Sequence, residues 1–315
     1  MTLKQPLFDR LALIGTGLIG SSIARAARTQ GVVRSIVATA RTEATRRRVA
    51  ELGLADEVAA SNAVAAAGAD LVIICIPVGD CGAVAREIGG HLKPGAIVSD
   101  VGSVKGSVTR DMAPHIPKGV HFVPAHPVAG TEYSGPDAGF AELFVDRWCI
   151  LTPPEGASPA AVERLDGFWR ALGAKVEIMT AEHHDLVLAV TSHLPHLIAY
   201  TIVGTADELA QVSRSEVLQF SAGGFRDFTR IAASDPTMWR DVFLANKDAV
   251  LEMLGRFNED IATLTRAIRR GDGTALFDHF TRTRAIRKGI VAVGQDSPAP
   301  DFGRQHPGLP GKDDK

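Results

Sequence analysis

The chain has 315 residues, 45% of them hydrophobic and 22% charged, an ordinary globular composition with enough length for two domains. A formal net charge of -2 gives no basic footprint, so nucleic acid is not an expected partner. Residues 1–10 lack the cationic start and apolar run of a signal peptide, and no apolar stretch approaches the roughly 20 residues of a membrane span, so a cytoplasmic protein without a membrane partner is expected.

The first half alternates short β-type runs with helical segments, the pattern of a parallel sheet covered on both faces. Residues 11–14 form the first strand, followed by a glycine-rich turn and a helix to about residue 30. Residues 35–39 form the second, with a helix over 42–52 after it. The run 71–76 is so uniformly apolar that it must be a central strand, and Cys75 within it reads as a small core residue. Pro77 ends that strand and is counted among the cofactor-binding residues. A strand over 96–100 and a short helix over 105–114 come next, then a strand over 120–123 leading into a loop that opens with His126. The runs 148–151 and 175–179 are expected to extend the same sheet, with a helix over 160–172 between them. From about residue 181 to 291 everything reads as helix. Three cysteines, Cys75, Cys81 and Cys149, are too few and too scattered for a disulfide framework or a zinc site, and fit reduced thiols.

Gly15-Thr16-Gly17-Leu18-Ile19-Gly20 follows a strand directly and opens a helix, the context a dinucleotide fingerprint requires. The first glycine permits a tight turn, the second lets backbone approach a pyrophosphate, and the third lets the helix pack on the strand. The phosphates then sit at a helix amino terminus, where free N–H groups favour anions. The predicted fold is α/β: a Rossmann-type doubly wound, mainly parallel sheet over residues 1–180, then an all-helical substrate and dimerisation domain over 181–295. Residues 296–315, rich in Pro, Gly and charge, read as a disordered tail.

Cofactor choice turns on the end of the second strand. An NAD binder usually carries Asp or Glu there, roughly 20 residues beyond the last glycine, to accept from the ribose hydroxyls. Here the place holds Ala40, followed by Arg41 and Thr42, with Arg46, Arg47 and Arg48 one turn on. Absence of the acid removes repulsion against a 2'-phosphate, and a guanidinium can pair with it, so NADP is favoured over NAD. The plainer alternative is a solvated helix face.

Asp100-Val101-Gly102-Ser103-Val104-Lys105 lies beyond the carboxyl end of a parallel strand, the edge at which such sheets bind ligands. Gly102 allows close backbone approach to a nicotinamide ring, and Ser103 can offer a hydroxyl to substrate. His126 opens the segment His126-Pro127-Val128-Ala129-Gly130-Thr131-Glu132, where a dehydrogenase would keep its proton acceptor. In the helical half, Glu182-His183-His184-Asp185 begins the first helix and Thr191-Ser192-His193-Leu194-Pro195-His196 follows two turns later. The i, i+3 histidines raise the question of a metal, but no third and fourth ligand arrives at suitable spacing, and none is predicted. Asp235 before Pro236 is a helix start, and Arg230 just ahead of it is either a surface residue or a carboxylate clamp.

Taken in order, GTGLIG, DVGSVK, HPVAGTE, SHLPH and FRDFTRIAASDPTMW resemble the prephenate and arogenate dehydrogenases of tyrosine biosynthesis, also called cyclohexadienyl dehydrogenases, over nearly all of residues 10–291. The resemblance implies an oxidative decarboxylation. Hydride leaves the ring carbon bearing the 4-hydroxyl for the nicotinamide, the ring carboxylate departs as CO2, and the ring becomes aromatic. It further implies that His126 accepts the proton of that hydroxyl and that Ser103 binds the same hydroxyl or the nicotinamide amide. Arg230 would grip a substrate carboxylate, with His196, Thr131, Glu132, Arg226 and Trp239 lining the pocket. Many members carry an acid at the ribose position, so its absence here puts NAD specificity in doubt.

Two rival readings differ in class. The β-hydroxyacid dehydrogenases share a glycine-rich domain followed by helices but use a lysine on the first long helix, and residues 182–200 contain none. A non-catalytic NADP sensor would have no need of an imidazole, a serine and two arginines at these places. A single long helix is expected from Asp235 to about Arg270, on the order of 50 Å at 1.5 Å per residue. Its apolar positions Phe243, Val250, Leu254, Phe257, Ile261, Leu264 and Ile268 alternate by three and four, which points to a homodimer through the helical domain.

Overall fold

Strand β1 (Phe8–Ile14) feeds through the glycine turn into helix α1 (Leu18–Gln30), and this unit sets the plan of a computed structural model that describes residues 5–131, 133–219 and 223–292. Then come β2 (Val33–Thr39), α2 (Glu43–Glu51), β3 (Glu57–Val58), α3 (Asn62–Ala66), β4 (Leu71–Ile74), α4 (Cys81–Ile88), β5 (Ile97–Asp100), α5 (Gly106–Met112) and β6 (His121–Phe122). The six strands are all parallel in the order β3-β2-β1-β4-β5-β6. The order reverses between β1 and β4, so the crevice for a ligand opens at their carboxyl ends.

Alternation along the central strands explains why β4 is apolar throughout. Leu11, Leu13, Leu71 and Ile73 join one core with α1, whereas Ala12, Ile14, Val72 and Ile74 join a second with Cys81, Ala85, Ile88, Val108 and Met112 of α4 and α5. Residues i and i+2 share a face, so helices on both faces require apolar side chains at every position.

The later runs do not extend this sheet, contrary to the sequence expectation. Strands β7 (Ala125–Pro127), β8 (Trp148–Leu151) and β9 (Lys175–Ile178) form a separate three-stranded sheet, with β7 antiparallel and β9 parallel to β8. His121 N and Val123 N donate to the backbone carbonyls of Ala96 and Val98, but the next donor, Ala125 N, turns to the Asp100 side chain, and the Pro124 carbonyl between them accepts from Thr152 N. His126 therefore lies within a short strand, paired with Ile150, and not on a loop. Helix α6 (Pro159–Ala171) packs Leu165, Phe168 and Trp169 into the first core.

The remaining chain is helical. Helix α7 (Ala181–Leu188) passes through one π turn, Ala189–His193, into α8 (Leu194–Gln219). From Ala181 to Glu208 this helix is long and apolar enough to cross a membrane by length and composition, which the sequence reading did not anticipate. Its His184, Asp185 and His193 are buried and hydrogen-bonded to His126, Lys105 and Asn246. Helices α9 (Gly223–Thr229), α10 (Pro236–Ala245), α11 (Lys247–Arg270) and α12 (Gly273–Ala292) complete it. Asp235 caps α10, accepting from Met238 N at 2.9 Å. The single helix expected from Asp235 to Arg270 is broken at Asn246, whose backbone (φ -109°, ψ 31°) leaves the helical region while its side chain bonds inward. The chain divides into two compact units after Val250. The expected tail, 296–315, lies outside the described residues.

Candidate active site

The glycine turn is built for a dinucleotide. Gly15 has φ +94°, and a Cβ there would stand 2.4 Å from the Cys75 carbonyl oxygen, so only glycine fits between β1 and β4. A Cβ on Gly20 would meet the Gly15 oxygen at 2.2 Å, which is how α1 approaches its strand. Gly17 differs: a Cβ there meets nothing within 4 Å and would project into open space beside the α1 amino terminus. That terminus has no side-chain cap and no acid in its first turn, and the Thr16 hydroxyl is buried without a partner. Free N–H groups with a hydroxyl beside them fit a pyrophosphate. Leu18 and Ile19 form the first helical turn, and Pro77 is exposed just past β4 at the same sheet edge.

At the ribose end the arginines separate. Arg47 pairs with Glu43 at 3.1 Å, and Arg48 pairs with Glu51 at 3.0 Å and Asp137 at 2.5 Å. Arg46 donates to the carbonyls of Ala40 and Arg41 at 2.7 and 3.3 Å, knitting the loop that Thr42 caps. Among the described residues Arg41 alone of the four has no such bond, and it is exposed beside Ala40. The solvated-face reading thus holds for Arg47 and Arg48.

Beyond β5, the fully buried carboxylate of Asp100 accepts from Gly102 N at 2.7 Å, from Ala125 N at 3.3 Å and from the Lys105 ammonium. The same ammonium donates to the Ala125 carbonyl at 2.7 Å. A buried ion pair contributes little net stability, but this one clamps both backbone groups of the residue before His126 and closes the turn carrying Ser103. Burial keeps the thiols of Cys75, Cys81 and Cys149 well above the ordinary range, so none is a nucleophile.

His126 is 7% exposed, and its Nδ1 lies 2.8 Å from Nε2 of His184. His184 Nδ1 lies 2.8 Å from Asp185 Oδ1. Burial alone would raise the Asp185 pKa, but bonds from His184, Lys105 N and Gly106 N outweigh it and hold the carboxyl below its usual value. Burial lowers His184, with Asp185 opposing, and pushes His126 well below 6.5, helped by the nearby His184, Lys105 and His193. Both rings are therefore neutral near pH 7, and the bonds fix their tautomers. An ionised Asp185 can only accept, so His184 carries its proton on Nδ1. Its Nε2 then accepts, so His126 must donate from Nδ1. The one lone pair left on His126 is at Nε2, which is thereby able to accept a proton.

A second cluster lies on the helical side. His196 stacks on Trp239 with ring centroids 3.6 Å apart and donates from Nδ1 to the Ser192 carbonyl at 2.8 Å, leaving Nε2 as acceptor. Arg230, exposed at the start of a 3-10 turn, is near enough to help lower the His196 pKa, after the larger effect of burial. Trp239 also packs with Val242 against Val104, next to Ser103. Thr131 accepts from Tyr133 N at 3.3 Å at the outer end of the His126 segment. Arg226 is exposed and pairs with Asp227 at 3.4 Å, with no described bond to the cluster. Glu132 lies outside the described residues.

Sequence reasoning saw His184 and Asp185 only as polar residues opening a helix, and gave no role to Lys105, His193 or Asn246. The usable signal was an adjacent His-Asp pair in an apolar helix, where a buried carboxylate must find donors.

The geometry agrees with the comparisons to known proteins. Residues 23–178 match the prephenate dehydrogenase nucleotide-binding domain and residues 180–282 match the prephenate dehydrogenase dimerization domain. A cyclohexadienyl dehydrogenase of Zymomonas mobilis is 42% identical over 281 residues, covering 89% of this chain and 96% of that protein. A prephenate dehydrogenase of Bacillus subtilis is 33% identical, covering 90% and 76%. Among solved structures, prephenate dehydrogenase from A. aeolicus in complex with hydroxyphenyl propionate and NAD+ superimposes with a TM-score of 0.83 at 32% identity, over 90% of this chain and 98% of that one. With both domains matched and the similarity running nearly end to end, the chain belongs to the prephenate dehydrogenase family.

Proposed function

We propose that the protein converts prephenate, arogenate or both by oxidative decarboxylation, with NADP+ favoured over NAD+. The bond chain Asp185–His184–His126 carries this reading, because it leaves a neutral imidazole with a lone pair at Nε2. That lone pair takes the proton of the substrate 4-hydroxyl as hydride leaves the same carbon. A bound nicotinamide supplies the hydride acceptor. The ring carboxylate then leaves as CO2, and its electron pair aromatises the ring to a phenolate that regains a proton. Ser103 contacts the hydroxyl or the nicotinamide amide, and Arg230 pairs with a substrate carboxylate, bidentate geometry that Lys lacks. His196, Trp239, Thr131 and Arg226 complete the pocket.

The NADP preference is supported by Ala40 in place of an acid and by Arg41, which has no competing ion pair among the described residues. A homodimer is supported by the family's dimerization domain and by the exposed Leu251, Ile268, Phe277 and Phe280 on α11 and α12. The pure protein mixed with prephenate or arogenate and either nicotinamide tests the reaction. Absorbance at the reduced-nicotinamide band rises in at least one pair, fastest with NADP+, and silence in all four overturns the assignment.

A further inference from the structure

His193 is fully buried, sits on the single π turn of its helix, and has no part in the proton path from Asp185 to His126. π turns of this kind often mark functional sites. Among the described residues its ring has one hydrogen bond, through Nδ1, 3.1 Å from Nδ2 of Asn246. Asn246, itself buried at the break between α10 and α11, spends its other amide hydrogen on the Asp185 carbonyl at 2.8 Å. An amide nitrogen only donates, so His193 Nδ1 must accept and the ring carries its proton on Nε2. Burial keeps the ring neutral, with a pKa of about 4. Nε2 is buried with no hydrogen-bond partner among the described residues, and the nearby Ser103 backbone favours the protonated ring.

The residues flanking Ser103 are gripped from the same side. Val104 packs on Trp239 and Val242, the backbone N–H groups of Lys105 and Gly106 donate to Asp185, and the His193 and Trp239 ring centroids are 6.0 Å apart. We propose that Asn246 and His193 are a positioning pair for the reaction: the Asn246 amide fixes His193 as its Nε2–H tautomer, and that N–H aims at the Ser103 backbone and holds the 103–106 segment in register with the proton acceptor. Neither residue touches the reacting atoms. One amide group thus ties the Ser103 turn to the Asp185 end of the relay.

Two side chains separate the halves of the ring. His193→Asn keeps an oxygen where Nδ1 stood, able to accept from Asn246, and removes the donor toward Ser103. His193→Gln reaches to the place of Nε2 and restores that donor. The expected result is a kcat about 10- to 100-fold lower in His193→Asn, with the cofactor KM within about 2-fold, and recovery of most of the loss in His193→Gln. Wild-type kcat in a folded His193→Asn protein, or equal losses in the two variants, overturns the proposal. Histidine 15N shifts of the wild-type protein decide the matter if the variants do not fold: a neutral Nε2–H His193 at pH 7 is expected, and an Nδ1–H or protonated ring overturns it. The kinetic arm rests on the dehydrogenase reading and the spectroscopic arm does not, so lack of turnover with the expected tautomer counts against the reaction alone.

Discussion

His126 and His184 meet nitrogen to nitrogen at 2.8 Å with their ring planes 70° apart, and the bond between them has a direction set by Asp185. Asp185→Asn tests that direction. Oδ1 accepts from His184 and Lys105 N and Oδ2 from Gly106 N, so the new amide NH2 opposes a backbone donor either way. At the Oδ1 place it makes His184 Nδ1 an acceptor and drives the His126 proton onto Nε2, and at the Oδ2 place it removes the negative charge behind the relay. The volume is unchanged, yet kcat is expected to fall about 10²- to 10⁴-fold, as tautomer reversal does in other imidazole bases. Steady-state rates with a melting curve check this, and a folded variant turning over at near the wild-type rate removes the relay from the reaction.

The low His126 pKa fixes the sign of the pH dependence. Its neutral form is the base, and burial favours that form, so activity is retained as pH falls past the ordinary histidine value of 6.5 and is lost only below it. A plot of log kcat/KM, which reports the free enzyme, is expected to bend down below pH 6.5. His126→Asn is expected to lower kcat about 10²- to 10⁴-fold and to abolish that bend. An acid limb centred above 6.5 contradicts the buried, neutral imidazole.

The parallel sheet was legible because its signals are local. Residues 71–74 are apolar at every position, and Gly15, Gly17 and Gly20 stand at a strand-to-helix junction, so period and spacing sufficed. His126, Ser103, Trp239 and His196 were also found, since their motifs are contiguous. The separate sheet of Ala125–Pro127, Trp148–Leu151 and Lys175–Ile178 was missed because its partner choice depends on the clamp that Asp100 and Lys105, 25 and 20 positions away, place on Ala125. The same is true of the relay. Asp185 lies 80 positions from Lys105 and 61 from Asn246, and no periodicity records that they share hydrogen bonds. The break at Asn246 was hidden because the apolar spacing continues across it, from Phe243 to Val250.

Arg41 is the residue on which NADP preference depends. Arg46, Arg47 and Arg48 are held by backbone carbonyls, Glu43, Glu51 and Asp137, so a 2'-phosphate has one uncommitted guanidinium beside Ala40. Arg41→Ala is expected to raise the KM for NADP+ about 10-fold, the equivalent of about 1.4 kcal/mol, and to leave that for NAD+ within about 2-fold. Initial rates with the two cofactors give the ratio. Equal effects on both would assign Arg41 to the loop's structure and remove the ground for NADP preference.

Gly17 and Gly20 separate a packing glycine from a binding glycine three residues away. In Gly20→Ala the added methyl lands against the Gly15 carbonyl, which is backbone and cannot swing aside, so α1 must shift off β1. Overpacking of this kind costs about 1–3 kcal/mol, read as a lower melting temperature before any assay. In Gly17→Ala the methyl meets no protein atom, and exchanging a glycine for alanine at this cap position costs roughly 0.5–1 kcal/mol, so the melting temperature falls less than in Gly20→Ala. The space it fills is the one that backbone must leave for a pyrophosphate at the α1 amino terminus. Gly17→Ala is therefore expected to raise the cofactor KM by about 10-fold or more, with kcat at saturation changed much less, because the group lies away from the proton acceptor. Unchanged cofactor affinity in Gly17→Ala would show that the phosphates do not cross this turn.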